Sequence, residues 1–193
     1  MMENGILLLV SILIATCSGC VFTERIVTTI ADGARGVFVT DVDGDGDVDA
    51  LSASAYDDTI AWYENDGSQS FAERVITAAA IEAHSVYAID VDGDGDVDPL
   101  SASAGDDTVA WYENDGSQSF AERIIADSAD ATFSVFAIDV DGDGDADALS
   151  ASNDTSLHRA STSGASSSFA FSSRTDGADR GDASGAPYRA PGS

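Results

Sequence analysis

Residues 41–49 read Asp-Val-Asp-Gly-Asp-Gly-Asp-Val-Asp, and the same nonapeptide recurs at 90–98 and, with Ala146 in place of the second valine, at 139–147. Each copy places five carboxylates in nine residues. Short carboxylates separated by glycines are what a hard, oxygen-seeking cation requires, because glycine lets the backbone curl around the ion. Without a cation the negative charges would repel one another. The nonapeptide therefore predicts a metal-binding loop.

The loops recur at a constant spacing of 49 residues, which indicates a repeat protein. Residues 41–89 and 90–138 form two complete units that agree at about three-quarters of their positions. Residues 21–40 match the end of a unit, and residues 139–152 match the beginning of one. The predicted repeat region therefore covers residues 21–152.

Strand signals dominate each unit. Around the second loop, residues 86–91 run into the loop and residues 100–104 leave it, and both segments have the apolar pattern of a strand. Residues 108–113 are rich in β-branched and aromatic side chains, and an Asn-Asp-Gly turn leads to residues 120–125. Four short strands at this period predict one blade of a β-propeller. We expect an all-β fold, a partial β-propeller of four-stranded blades with about two complete and two partial ones.

The pattern Asp-x-Asp-Gly-Asp-Gly-x-x-Asp, followed by Trp-Tyr-Glu-Asn-Asp-Gly, resembles the FG-GAP/VCBS repeat family over roughly residues 21–152. Repeats of that family build calcium-decorated β-propellers, including the head of integrin α-chains. The Phe-Gly and Gly-Ala-Pro marks of the FG-GAP motif are missing, so the VCBS-like variant is the better match. Because such rings usually close with about seven blades, the resemblance implies an open arc, a propeller completed by self-association, or a truncated gene product.

The resemblance also implies which loop positions hold an ion. Side chains at positions one, three, five and nine would be ligands together with the backbone carbonyl at position seven, whose side chain would face solvent. These candidate metal residues are Asp41, Asp43, Asp45, Asp47 and Asp49 in the first loop, Asp90, Asp92, Asp94, Asp96 and Asp98 in the second, and Asp139, Asp141, Asp143, Asp145 and Asp147 in the third.

Calcium is the ion that the loops favour. A flexible cage of many protein oxygens suits Ca²⁺ better than Mg²⁺, and the loops contain no His or Cys for a transition metal. An EF-hand is excluded because its position twelve requires a bidentate Glu, where this chain has Ser52, Ser101 and Ser150. We expect up to three structural Ca²⁺ ions.

The aromatic pairs Trp62-Tyr63 and Trp111-Tyr112 occupy the same place in both units. One ring of each pair is expected to pack between blades, and the alternative is stacking on a sugar ring. Glu64 and Glu113, together with the recurring Glu-Arg dipeptides of the fourth strand, are expected to form ion pairs on a strand face that contribute little energy.

No pattern predicts an enzyme. The adjacent carboxylates Asp57-Asp58 and Asp106-Asp107 are expected in turns, since general acid–base work requires a dry pocket and a raised pKa. His84 and His158 have no counterpart in the other unit, and no Ser-His-Asp order, phosphate-binding loop or cysteine nucleophile stands out. We therefore expect no catalytic residues and no cofactor other than calcium.

The formal charge of −27 limits the partners. Nucleic acids and anionic membrane surfaces would be repelled. The acids are clustered and 44% of the residues are hydrophobic, which is not the composition of a disordered acidic chain. A protein or glycan ligand remains compatible with the charge.

Both ends of the chain differ from the repeats. Residues 1–20 contain an apolar run, too short to span a membrane as a helix, followed by Cys17 and Cys20. This segment predicts a cleaved secretory signal, although it lacks Lys or Arg. The alternatives are a retained membrane anchor or a lipidated cysteine, for which Cys20 is the candidate, and a buried strand. Residues 153–193, rich in Ser, Gly, Ala and Arg, are predicted to be a low-complexity, disordered tail.

Together these features predict a secreted or cell-surface calcium-binding β-propeller repeat protein that acts as a binding or adhesion module. Two alternatives stay open. The first alternative is an accessory, non-catalytic domain of a secreted polysaccharide-active enzyme. The second is a truncated repeat protein without independent activity.

Overall fold

The structure, a computed structural model, describes residues 10–16, 21–153, 156–161 and 171–172, with side chains described from residue 24 to residue 153. Every regular element in these ranges is a β-strand. Within the same ranges there is no helix long and apolar enough to cross a membrane. The prediction of an all-β fold is confirmed.

The described strands form one two-stranded sheet and three four-stranded antiparallel sheets, which we call blades I, II and III. The two-stranded sheet pairs β1 (Val10–Thr16) with β2 (Val21–Thr28). Blade I contains β3 (Ala34–Thr40), β4 (Asp49–Ser54), β5 (Thr59–Asn65) and β6 (Phe71–Thr77). Blade II contains β7 (Ala83–Ile89), β8 (Asp98–Ser103), β9 (Thr108–Asn114) and β10 (Phe120–Ala126). Blade III contains β11 (Ser134–Ile138), β12 (Asp147–Ala151), β13 (Ser156–Ser161) and β14 (Phe171–Ser172). Strands that follow one another in the sequence are neighbours in each blade, as in a propeller.

Each acidic loop connects the first and second strands of one blade. The residue before the loop pairs with the loop's last residue, as in Thr40↔Asp49 and Ile89↔Asp98. The loop is therefore the turn of a β-hairpin. The predicted units have the correct period, but the blades begin one strand earlier than the units do, because the strand before each loop belongs to the same sheet as the strand after it.

Burial decreases from the second strand of a blade to the fourth. Strands β4 and β8 are buried along their whole length, and small Ser and Ala residues allow neighbouring blades to approach them from both sides. Strands β6 and β10 are largely exposed. The fourth strands therefore form the outer rim of the described blades.

Apolar clusters fill the space between successive blades. The junction between blades I and II contains Val42, Leu51, Ala53, Ile60 and Trp62 from blade I, and Ala83, Val86, Ala88, Ala110 and Tyr112 from blade II. The junction between blades II and III contains Val91, Leu100, Ala102 and Val109 from blade II, and Val135, Ala137 and Ala148 from blade III. A third cluster packs Tyr63 and other residues of blade I against Val27 of β2. The prediction that one ring of each aromatic pair packs between blades is confirmed by Trp62 and Tyr112 at the junction of blades I and II, whereas Tyr63 packs against β2 on the opposite face of blade I.

The first strands of the blades lie side by side. The ring of Phe38 in β3 is 4.6 Å from that of Tyr87 in β7, and Tyr87 is 4.5 Å from Phe136 in β11 (centroid distances). The backbones also approach closely, since a Cβ on Gly36 would lie 2.9 Å from the Cα of Ser85. These contacts set the separation of the blades at their inner edge.

The two ends of the chain differ from the predictions in extent. Strand β1 lies inside the predicted leader, whose other residues, 1–9 and 17–20, fall outside the described residues. Strands β13 and β14 lie beyond residue 152, where the sequence predicts a disordered tail, and extend blade III to four strands. Beyond residue 153, the remaining residues of the predicted tail are not among the described residues. In β13 only the backbone is described, and the His158 side chain lies outside the described part.

Candidate metal centres

The first acidic loop is curled by its own aspartates. The Asp41 carboxylate accepts hydrogen bonds from the N–H groups of Gly44 (2.8 Å) and Gly46 (2.9 Å). Both glycines have positive φ angles, +75° and +95°, in the region that favours glycine. The second loop repeats this geometry with Asp90, and the third repeats it with Asp139.

Each loop brings three carboxylates together. In every cluster one oxygen from each of three aspartates lies within 4.8 Å of the others. The clusters are Asp41, Asp43 and Asp45; Asp90, Asp92 and Asp94; and Asp139, Asp141 and Asp147. The first two loops thus gather positions one, three and five, and the third gathers positions one, three and nine. These three clusters could hold metal ions, and their all-oxygen donor set suits a hard cation.

The aspartate at position nine is buried and anchors the loop. In Asp49, Oδ2 accepts the N–H of Val42 (3.0 Å) and Oδ1 accepts the N–H of Asn65 on β5 (2.8 Å). Asp98 makes the same two bonds, at 2.9 and 2.7 Å. Since a carboxylate offers about four lone-pair sites, these bonds leave capacity for an ion. In the first two loops position nine therefore ties the loop to the third strand of its blade.

Asparagine at the end of the third strand completes this link, and sequence reasoning missed it. The side-chain amide of Asn65 donates to the carbonyl of Val48 (3.0 Å), and its Oδ1 accepts the N–H of Gln69 (3.1 Å). Asn114 makes the equivalent contacts in blade II. The available signal was the constant separation of 16 residues between position nine and this asparagine in both units.

The side chain at position seven does not simply face solvent, as the resemblance implied. Asp47 is half-buried, and its carboxylate lies against Gly67 in the β5–β6 turn. A Cβ on Gly67 would be 2.5 Å from Asp47 Oδ2, and one on Gly116 would be 2.7 Å from Asp96 Oδ2. In the first two loops this carboxylate therefore packs against the glycine of the Asn-Asp-Gly turn, where a side chain would displace it.

The electrostatics of the loops favour a bound positive charge. Burial raises the pKa of Asp43 and Asp92, and neighbouring carboxylates raise it further, against a backbone hydrogen bond that lowers it. Burial also raises the pKa of Asp49, and it raises the pKa of Asp98 to about 6, although two backbone N–H groups act in the opposite direction. A cation among these groups would favour their charged forms, so the residues present fit a metal ion.

The comparison with known families agrees with this geometry. The model of the FG-GAP-like repeat matches residues 41–101 and, overlapping them, residues 90–150. The chain belongs to the FG-GAP-like repeat family. Each match begins at an acidic loop and ends in the strand that follows the next loop, so it spans the junction between two blades. Among curated proteins none matches the chain. FG-GAP-like repeats are typically non-catalytic.

A groove of about 310 Å³ lies beside the first loop of this FG-GAP-like array, between blades I and II. It is lined by Asp43, Trp62, Glu64, Arg74, Ser117 and Gln118, among others. The predicted strand-face ion pair is present in its wall, with Arg74 Nη2 at 2.7 Å from Glu64 Oε2, and Arg123 pairs with Glu113 in blade II. Because the Trp62 ring is almost fully buried, it is not available to stack on a sugar.

The adjacent carboxylates lie in turns, as predicted, and also connect blades. Asp58 has a positive φ of 56°, its Oδ1 accepts the N–H of Glu82 (2.8 Å), and its carbonyl accepts the N–H of Ala80 (3.0 Å). Asp107 makes the corresponding bonds to the segment before blade III. We call this arrangement the blade clasp.

His84 packs edge-on against Phe133, and burial lowers the pKa of its imidazole.

Proposed function

We propose that this FG-GAP-like protein binds one Ca²⁺ ion in each of its three acidic loops and uses the stiffened blades as a binding module outside the cell. The observation that carries the calcium assignment is that each of the three loops gathers an all-oxygen cluster of three carboxylates. In two of the loops the raised pKa of Asp43 and of Asp92 adds support, since it reflects crowded, poorly solvated negative charge.

The proposed role of the ion is structural. Asp41, Asp43, Asp45 and Asp49, with the carbonyl of Asp47, would hold it in the first loop, and the equivalent residues would do so in the others. Calcium supplies a double positive charge that offsets the repulsion between these carboxylates. Since Asp49 already bonds to Asn65, an ion on this carboxylate would connect the β3–β4 hairpin to β5.

Calorimetric titration of the full chain with CaCl₂ tests the assignment. We expect uptake of three ions and a higher melting temperature in calcium than in chelator. The variant Asp43→Asn should reduce the stoichiometry from three to two. Asp66→Asn, in the exposed turn nearby, is the matched control and should leave it at three. Absence of calcium uptake, with the same melting temperature in chelator, would contradict the proposal.

The proposed biological role is recognition of a protein or a glycan at a cell surface or in a secreted form. FG-GAP-like repeats are typical of extracellular and cell-surface proteins, where millimolar calcium fills even weak sites. Repeat proteins commonly present binding surfaces across successive repeats. Glycan and protein arrays probed in calcium and in chelator test this role, and we expect a signal that chelator abolishes. Catalytic turnover by the isolated chain would contradict it.

A further inference from the structure

Each blade has two different faces. The trailing face packs on the next blade in the sequence, and the leading face packs on the preceding one. Val42 and Val91 occupy equivalent places on the trailing faces of blades I and II and are 3% and 6% exposed, whereas Val140 on blade III is 52% exposed. Ala53 and Ala102 are fully buried, whereas their equivalent Ala151 is exposed. The trailing face of blade III therefore presents the residues of a blade junction without a covering blade among the described residues.

The leading face of blade I shows the complementary situation. Val86 and Val135 are 5% and 4% exposed on the leading faces of blades II and III, whereas the equivalent Val37 is 63% exposed. Val39, which lies two residues further along β3, is also exposed. The β1–β2 sheet reaches the outer part of this face through Val27, so the uncovered part is the inner strand β3.

These two uncovered surfaces are the two halves of one junction. Within the chain, Val42 packs in one cluster with Val86, and Val91 packs in one cluster with Val135. Val140 is the equivalent of Val42 and Val91, and Val37 is the equivalent of Val86 and Val135. The surface around Val140 is therefore complementary to a surface like the one around Val37. The row of rings along the inner strands also ends at Phe136, which is 46% exposed.

We propose that a second copy of the chain covers blade III, so that the trailing face of blade III packs head to tail on β3 of the next copy. The occupant follows from continuity with the two junctions inside the chain, which already join these same residue types twice. Such a contact is heterologous, because the two surfaces differ, and it closes into a ring where the rotation allows. The proposal does not depend on calcium in the loops.

Two charged substitutions separate this arrangement from the alternatives. Ala151→Glu alters only the trailing face of blade III, away from its acidic loop, and Val37→Glu alters only the leading face of blade I. Both side chains are exposed in the single chain, so the folded blades accept them. Each variant alone should weaken association by about a hundredfold or more, since it buries a charge in an apolar contact. Ala72→Glu, at an exposed position of β6, is the matched control and should associate like the wild type.

Sedimentation velocity of the full chain at micromolar concentration measures the outcome. We expect an oligomer for the wild type and for Ala72→Glu, and monomers for Ala151→Glu and for Val37→Glu. An equimolar mixture of the two monomeric variants should form dimers, because the intact trailing face of the Val37→Glu chain meets the intact leading face of the Ala151→Glu chain. Recovery in the mixture also shows that both variants are folded.

Three results would overturn the proposal. A monomeric wild type would show that the surfaces do not meet. Dissociation by only one of the two variants would show a contact between identical faces. Failure of the mixture to associate, with each variant folded by circular dichroism, would exclude the head-to-tail pairing.

Discussion

Two acidic regions lie next to each other in blade I, and the pKa values of their carboxylates are shifted in opposite directions. In the loop at 41–49, burial raises the pKa of Asp43 and Asp49. In the β5–β6 turn, the hydroxyl and N–H of Ser68, with the N–H of Ser70, lower the pKa of Asp66. Blade II repeats the contrast between Asp98 and Asp115. The donors in the turn lower the pKa of its carboxylate, whereas burial keeps the pKa values of the loop carboxylates raised, and a cation would favour their charged forms.

The largest expected effect is on the buried anchor of the loop. Asp49→Ala should lower the free energy of unfolding in calcium by about 2–4 kcal/mol, because it leaves the N–H groups of Val42 and Asn65 without their acceptor. Asp66→Ala, which removes an exposed turn carboxylate, should have a small effect. Urea unfolding measures both, and equal losses would remove the distinction between loop and turn.

The contact between the position-seven carboxylate and the glycine of the β5–β6 turn should have the next largest effect on stability. Gly67→Ala should cost about 2 kcal/mol, since it adds displacement of the Asp47 carboxylate, whose Oδ2 would lie 2.5 Å from the new Cβ, to the cost of a positive φ. At Gly46 the φ is also positive but a Cβ would meet nothing within 4 Å, so Gly46→Ala should cost only about 1 kcal/mol. If thermal melting shows the same loss for both, the carboxylate contact has no energetic weight.

The asparagine link should couple stability to calcium affinity. Asn65→Ala removes the bonds to Val48 and Gln69 and should lower stability by about 1–2 kcal/mol. It should also weaken calcium binding to the first loop by about tenfold, because Asn65 helps to position Asp49. Asn114→Ala should do the same to the second loop alone. Calorimetry resolves the sites, and unchanged affinity in both variants would restrict asparagine to a turn role.

The smallest expected effect is a pH dependence that differs in sign between the two regions. Asp98 has a pKa of about 6 in the fold, above its ordinary value of 3.8, so its contribution to stability is fully present below 3.8 and is lost as the pH rises through about 6. In chelator the melting temperature should therefore rise by about 3–5 °C between pH 7 and pH 5. Asp98→Asn should reduce this rise, and the raised pKa values of Asp43, Asp49 and Asp92 account for the remainder.

The lowered pKa of Asp66 acts in the other direction. Its contribution is present above the ordinary value of 3.8 and is lost as the pH falls through the lowered pKa. This loss lies below pH 4, outside the window of the Asp98 effect. A melting temperature that falls between pH 7 and pH 5 in chelator would contradict the raised pKa values of the loop carboxylates.

Sequence reasoning predicted the strands, the period and the loops because each is encoded locally. Gly44 and Gly46 mark the curl, and alternation of apolar residues marks the strands. It did not predict the contacts of Asn65 with Val48 or of Asp47 with Gly67, because these join segments that only the paired strands bring together. The blade predicted from the strands before and after the second loop matches blade II, because hairpin pairing across the loop places both of these strands in one sheet.

The exposure of Val37 and Val140 was also beyond reach of the sequence. Their equivalents in neighbouring repeats are buried, and the residue types alone are the same. Only the position of a blade in the array determines which copy of a repeated valine meets solvent.

The blade clasp has a consequence for how the chain acquires its structure. Asp58 bonds to residues only 22 and 24 positions later, and Asp107 does the same. Each blade can therefore be fastened to its successor soon after that successor's first residues leave the ribosome, without waiting for the far end of the chain. Folding can thus proceed vectorially during synthesis, from blade I to blade II and then to blade III.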